Sequence, residues 1–419
     1  MQHDHTVGGA TDKGKGVFSY PAFRHLFTAR LLTVLGNGIA PIALAFAVID
    51  IGGDAADLGI VVAARSLFNV LFLLIGGVLA DRYSRSIVMV SSSAIAALSQ
   101  AVVAWLVLDG SATIALLAIL SALNGAASGI ALPASSAIVP QTVAPNKLRQ
   151  ANAFIQSGVY GGTVLGASLG GLLISIVGPG WGLAIDALGF ALAAPLYGKI
   201  RHHSLRLAST QSNIIQDLLE GWQEFTSRSW VWTVVVQFSI INAAFSGVLM
   251  VLGPIIADVS FGRADWGMIV AMQSVGLMAG SLIGLRWRPK HDLLVGVACI
   301  VCAALPMVAL ALVSATWLLM AMFFIAGVAF GQFGVVWAHS LQSHIPAQRL
   351  ARVYAYDAIG SFVAIPVGEV AAGPLALQFG NDVVLISCAV AVVVATLLAT
   401  CVPGIRRLEN TEFAAVSTQ

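Results

Sequence analysis

Residues 57–108 read DLGIVVAARSLFNVLFLLIGGVLADRYSRSIVMVSSSAIAALSQAVVAWLVL. Two apolar runs, 57–80 and 86–108, flank a turn that carries Asp81, Arg82 and Arg85. A helix needs roughly 20 apolar residues to cross about 30 Å of hydrocarbon, and each run meets that length. Further runs follow the same alternation at 26–50, 113–138, 151–177, 181–198, 230–256, 265–286, 292–313, 316–338, 352–378 and 382–403. The pattern predicts an all-α membrane protein with twelve transmembrane helices.

The composition demands the same solvent. Of 419 residues, 58% are hydrophobic and only 10% charged, with a mean hydropathy of +0.91. Soluble cores cannot bury so large an apolar share, so most of this chain meets lipid. That excludes a soluble enzyme, a nucleic-acid binder and a secreted disulfide scaffold. The balance of 21 basic and 19 acidic residues is too even for a polyanion partner. Cys299, Cys302, Cys388 and Cys401 all fall in or beside apolar runs. The Cys-x-x-Cys pair has no histidine near it, which reads as packing rather than a metal or redox site. The histidines lack the i, i+4 pairing of a metal site, and no phosphate-cradling glycine loop is seen. No metal, no cofactor, no ATP-driven pumping and no enzyme activity are expected.

Charge sets the expected orientation. With the N-terminus in the cytoplasm, the inner loops hold 18 of the 21 lysines and arginines, a near-complete positive-inside bias. Arg263 is the one lysine or arginine of the outer loops, and Arg30 and Arg65 lie at or within spans. Arg30 is expected to snorkel to the interface. Tryptophans 105, 181, 266 and 317 near outer ends, and 230, 232, 287 and 337 near inner ends, fit interfacial belts. The expected organisation is a disordered cytoplasmic tail at 1–20, a six-helix bundle at 21–198, a cytoplasmic linker at 199–229, a second bundle at 230–403 and a tail at 404–419. In the linker, Ile215, Leu218, Leu219, Trp222 and Phe225 share one face of an amphipathic surface helix.

The halves repeat. A shift of about 202 residues lays Gly166 on Gly368 and Gly171 on Gly373. A similar shift lays Gly77 on Gly280 and Arg85 on Arg288, which makes each half a copy of one six-helix unit. The turn GGVLADRYSR, with Gly77, Asp81, Arg82 and Arg85 between spans two and three, resembles the G-x-x-x-D-R-x-x-R signature of the major facilitator superfamily. Span five, with Gly162, Gly166, Gly170 and Gly171, is similar to that superfamily's antiporter motif, although Ala153 and Ala167 depart from it. PAFRHLFTARLLTVLGNG, DALGF in span six and PVGEVAAGP resemble its macrolide-efflux and enterobactin-exporter branch. The resemblance implies two pseudo-symmetric six-helix bundles, with spans one, four, seven and ten around a central cavity.

Several residues then become candidates. Asn37, Asn124, Asn242 and Gln332 supply one amide on each cavity-lining span, and Phe46, Phe238, Phe245, Phe324 and Phe330 its aromatic walls. Each amide reads equally as a helix-to-helix hydrogen bond. A chamber of amides and rings suits a bulky amphiphile. Charges inside spans are costly and usually functional. Arg65 and Glu369 both sit roughly 12–14 Å below the outer surface at 1.5 Å per residue. They are expected to pair and to couple proton uptake to opening; the alternatives are a purely structural bridge or pairing of Arg65 with Asp186 in span six. Asp81 is expected to cap the N-terminal end of span eleven, with Arg82 and Arg85 reaching Asp357 as a cytoplasmic latch. Gly77, Gly162, Gly166 and Gly170 are read as gating positions, Gly158, Gly162, Gly166 and Gly170 as either a sliding or a static packing face. The expected function is proton-coupled export of an amphiphilic drug-like or siderophore-like molecule by a monomer in the cell membrane. An importer or uniporter of the same fold, and a non-transporting sensor, are the alternatives.

Overall fold

In the computed structural model, residues 16–200, 222–287, 289–313 and 315–409 are described. Among the described residues, twelve helices are long and apolar enough to cross a membrane. They are α1 (Pro21–Asp50), α2 (Ala55–Arg82), α3 (Arg85–Asp109), α4 (Ile114–Ala137), α5 (Leu148–Val177) and α6 (Pro179–Gly198). The second six are α7 (Ser229–Val259), α8 (Arg263–Arg286), α9 (Asp292–Leu312), α10 (Thr316–His344), α11 and α12 (Asn381–Cys401). Helix α11 has two segments, Ala347–Phe362 and Ala364–Phe379. Pro366 lacks the N–H that would bond the Phe362 carbonyl, so the ladder breaks between them. Helix α7 widens into a π-helical stretch at Gly247–Leu252. Helices α1, α10 and α11 run several residues beyond their apolar runs, because a helix continues for as long as its backbone bonds do.

The repeat is visible in the backbone. Gly178 and Gly380, 202 positions apart, both have φ +88° and open the helix after α5 and α11 respectively. With ψ of 166° and 151° they occupy a region essentially closed to side-chain-bearing residues. Helix α5 crosses α1 where Gly166 meets Gly38, and α11 crosses α7 where Gly368 meets Ala243. The α2/α4 crossing at Gly76, beside Ile130, recurs as the α8/α10 crossing at Gly284, beside Gln332. The register expected from the sequence therefore shifts there: the counterpart of Gly76 is Gly284, and Gly77 does not match Gly280. Nothing lies within 4 Å of a Cβ built on Gly77, whereas one on Gly76 would lie 2.7 Å from the Ile130 Cα.

The halves touch along a seam at the end bearing the α1–α2 and α7–α8 turns, called here the seam face. The opposite end, where residues 16–20 and 402–409 lie, is the terminal face. At the seam Gly171 of α5 lies against Gly267 of α8, with a Cβ on Gly171 only 2.7 Å from the Gly267 Cα. Gly373 of α11 lies equally close to Ala55 and Ala56 of α2. Arg263 locks this end: it pairs with Asp50 of α1 at 2.5 Å and with Asp258 at 2.8 Å, and its guanidinium lies 4.8 Å above the Phe46 ring.

Three sequence expectations change at the terminal face. The tail ends before residue 20, because Val17–Ser19 form a 3-10 turn with Val17 buried and Phe18 packed on Phe23, Phe27 and Phe154. The second tail likewise starts later than 404, since Pro403–Arg406 are helical and Ile405 is buried. Arg30 does not snorkel; it donates to the Ser135 hydroxyl at 2.6 Å and ties α1 to α4. Of the tryptophans expected in interfacial belts, 105, 181, 232, 287 and 317 are exposed, but Trp230, Trp266 and Trp337 are buried among neighbouring rings.

Most of the expected linker helix, 201–221, lies outside the described residues. Its end, 222–227, is helical and docks on the second half. Phe225 is buried against Tyr356, and Glu224 accepts from Arg228 at 2.8 Å and from Arg349 at 2.5 Å. These two guanidiniums hold the Glu224 carboxyl below the usual carboxylate range. A depressed folded-state value means that the clamp is at full strength above the ordinary glutamate range and is lost as pH falls through the depressed one. Glu224→Gln is expected to remove about 1 kcal/mol at neutral pH, given the exposed arginines. Thermal unfolding of the purified protein checks this; the deficit relative to wild type must narrow as the pH is taken down into the acid range, and a pH-independent deficit contradicts the clamp.

Candidate functional site

Of the cavities between the described helices, two share lining residues and hold most of the candidates. The larger, about 750 Å³, is a chamber walled by α7, α8, α10 and α11. Phe238, Asn242, Phe245 and Phe330, expected from the sequence, do meet there. Phe238 stacks on Phe333 at 4.2 Å and Phe245 meets Phe330 edge-on at 5.0 Å. The Asn242 amide donates to the Ser361 carbonyl at 2.9 Å. Phe333, Trp337 and Tyr354 add to the wall and were missed, and Asp357, expected only as the latch partner of Arg82 and Arg85, lies there too. A signal existed for Trp337: it lies seven residues, two helical turns, after Phe330.

The smaller cavity, about 350 Å³, is a niche where α1, α2, α4, α7 and α11 converge, and Phe362 and Ile365 line both spaces. Arg65, Ser66, Asn69 and Glu369 face it. Glu369 is buried; its Oε1 accepts from Ser66 at 3.1 Å and from Ser246 at 2.6 Å. Its Oε2 has no hydrogen-bond partner among the described residues. Helix α2 comes against the α11 backbone at Gly59, beside the Glu369 carbonyl, and Ser66 lies two turns further along the same stripe.

The expected direct Arg65–Glu369 ion pair is absent among the described residues. Arg65 is one position, about 100°, round the helix from Ser66, and its guanidinium turns to α1, where Nη2 donates to Asn37 Oδ1 at 3.1 Å. Asp186 and Glu369 are the two carboxylates near enough to act on that charge. Asp186 is fully buried. Gln100 donates to its Oδ2 at 2.6 Å, its Oδ1 has no partner among the described residues, and α1 passes so closely at Gly36 that a side chain there would strike it. Arg65 thus has a buried carboxylate from each half in its neighbourhood.

Other candidates fall elsewhere. Asn124 and Gln332 are buried with both amide atoms unpartnered among the described residues, and neither lines the chamber or the niche, so the four amides do not share one space. Phe46 is buried beneath Arg263 at the seam. Phe324 is half-buried on α10 outside the chamber wall, its carbonyl against Gly276 of α8. Asp357 accepts from Trp337 Nε1 at 3.0 Å and from Ser361 at 3.3 Å, not from Arg82 or Arg85. The Asp81 side chain lies outside the described residues. Gly162, Gly166 and Gly170 face Leu31, Val34, Leu35, Gly38 and Ile39 of α1 within their own half. In this conformation the stripe packs within its own half, and α5 meets the other half through residues that include Tyr160, Ala167 and Gly171.

Two six-helix halves, a seam closing one end and a chamber with a charged niche at mid-bundle define a membrane transporter. The chain belongs to the Major Facilitator Superfamily, whose family model matches residues 26–369. It is 25% identical over 407 residues to the multidrug efflux pump Tap of Mycolicibacterium fortuitum, covering 93% of this chain and 97% of that protein. It is 24% identical over 274 residues to the enterobactin exporter EntS of Escherichia coli O1:K1 / APEC, covering 63% of each. Among solved structures, the nucleoside transporter NupG superposes with a TM-score of 0.72 at 15% identity, over 92% of this chain and 99% of that one. A bacterial homologue of the human lysosomal transporter Spinster, in an inward-facing and unoccupied conformation, gives 0.71 at 15% identity, over 94% and 98%.

Proposed function

We propose that this transporter is a proton-coupled exporter of amphiphilic small molecules, working as a monomer by alternating access. The observation that carries the reading is Glu369. It sits at the contact of α2 with α11, bonded to a serine from each half, with Arg65 and a second buried carboxylate, Asp186, nearby. Proton arrival on Glu369 changes the charge at the joint that must part for the seam to open. The positive-inside bias supports a cytoplasmic terminal face, which makes this an inward-facing conformation with its chamber available to cargo from the cell. The latch of Arg82 and Arg85 on Asp357 then belongs to the opposite conformation, with the terminal face shut. The efflux names of the relatives support the direction of transport.

The test is purified protein in liposomes, given a panel of amphiphiles, with and without an imposed pH gradient. Accumulation driven by the gradient, with proton movement in the opposite direction, is expected. Substrate movement that follows its own gradient and ignores pH makes the protein a uniporter and ends the coupling proposal.

A further inference from the structure

Asp357 has a place in the fold that the latch does not explain. It is partly accessible and lines the 750 Å³ chamber, and no lysine, arginine or histidine stands with it among the described residues of that lining. Its two neighbours both donate hydrogen bonds to it: Trp337 to Oδ2 and Ser361 to Oδ1. An ionised carboxylate accepts at about four lone-pair sites, so two donors leave it capacity toward the cavity. Around it the rings form a continuous wall, with Phe238 on Phe333 at 4.2 Å and Phe333 on Trp337 at 6.0 Å. Aromatic faces attract cations and are indifferent or hostile to anions. An anionic cargo in this chamber would face Asp357 with no compensating charge from the described lining.

We propose that the chamber selects organic cations, with Asp357 as the anchor of the positive group and the Phe238, Phe333 and Trp337 rings as the surface on which its apolar body lies. This rests on the transport reading above and names the charge class of its cargo. It also divides labour along α11. Asp357 is in the segment Ala347–Phe362 and Glu369 in the segment Ala364–Phe379. Phe362 and Ile365 lie between chamber and niche. Cargo charge and proton thus act on opposite sides of the break in one helix. The proposal turns against an anionic cargo.

The experiment is equilibrium binding to full-length protein in lipid nanodiscs, with no gradient, using two probes of one shape and opposite charge: tetraphenylphosphonium and tetraphenylborate. Both are permanently charged, so protonation of the ligand does not enter. Wild type is expected to bind the phosphonium and to exclude the borate by at least about tenfold. Asp357→Asn is expected to weaken phosphonium binding about tenfold or more and to shrink the discrimination, while Asp357→Glu retains most of it. A residue acting only as a latch gives the reverse, since its loss favours the open chamber and leaves binding equal or tighter. Equal affinity of the two probes for wild type overturns the proposal without any variant, so a poorly folded Asp357→Asn protein does not shield it. Cation-selective binding with no pH-driven transport leaves this inference standing and removes the proton coupling, whereas pH-driven transport of unselected probes does the opposite.

Discussion

Glu369→Gln abolishes pH-gradient-driven accumulation, by at least about tenfold, while leaving the fold and cargo binding in place. Glutamine keeps the size of the side chain and an oxygen that accepts the hydrogen bonds of Ser66 and Ser246, now held by Glu369 Oε1. What it removes is the site for a proton. A tenfold effect corresponds to about 1.4 kcal/mol between protonation states, a small demand for a buried charge exchanged with a neutral group. Vesicles loaded with substrate should still release it down its own gradient. Full gradient-driven accumulation by the variant, with protein level and thermal stability matched, would refute the assignment of Glu369. The serines offer an independent check. Ser66→Ala and Ser246→Ala each remove one donor from Oε1, and each should shift the pH dependence of transport while retaining the proton site.

Gly373→Val holds the seam open. A Cβ at this position overlaps the backbone of Ala55 and Ala56, and backbone cannot step aside as a flexible side chain can. Overpacking of this kind costs about 1–3 kcal/mol, and it weighs only on the conformation in which α2 and α11 touch. A bias of that size multiplies the ratio of seam-open to seam-closed molecules by about 5–150. Spin labels at Ser111 and Ser260, exposed turn residues of the two halves at the seam face, should move apart, and transport should fall at least about tenfold. Alanine at the same position should give a smaller displacement. An unchanged distance distribution with normal transport would show that the seam is not part of the cycle. Gly77→Val, which meets open space in this conformation, provides a comparison on α2, the helix that Gly373 abuts.

The ease of reading differs between these residues for a physical reason. Glu369 and Arg65 could be found in the sequence because a charge in hydrocarbon stands out wherever it points, and their common depth followed from the rise per residue. Their pairing could not. Depth is a coordinate along a helix, whereas contact depends on rotation about it, and one residue's rotation was enough to give Ser66 rather than Arg65 to Glu369. The amides show the same limit. Asn242 reaches the chamber, while Asn124 and Gln332, on helices expected to line it, lie elsewhere, because a helix apolar all round has no polar stripe to report its facing. Asp357 was noticed as an acid near a helix end; its role as the charge on the chamber wall needed Phe333, Trp337 and Tyr354 brought from other positions.

The amino-acid pattern by itself determined the solvent, the twelve spans and the duplication, since each depends on properties summed along the chain: apolar length, charge at turns, and glycines recurring at one interval. Tertiary structure alone decided which end is closed, which glycines touch across the halves, and which carboxylate lines the chamber and which the niche. Those depend on how helices turn toward one another, and in a membrane, where lipid is as apolar as the helix core, hydrophobicity exerts little torque to announce that choice in advance.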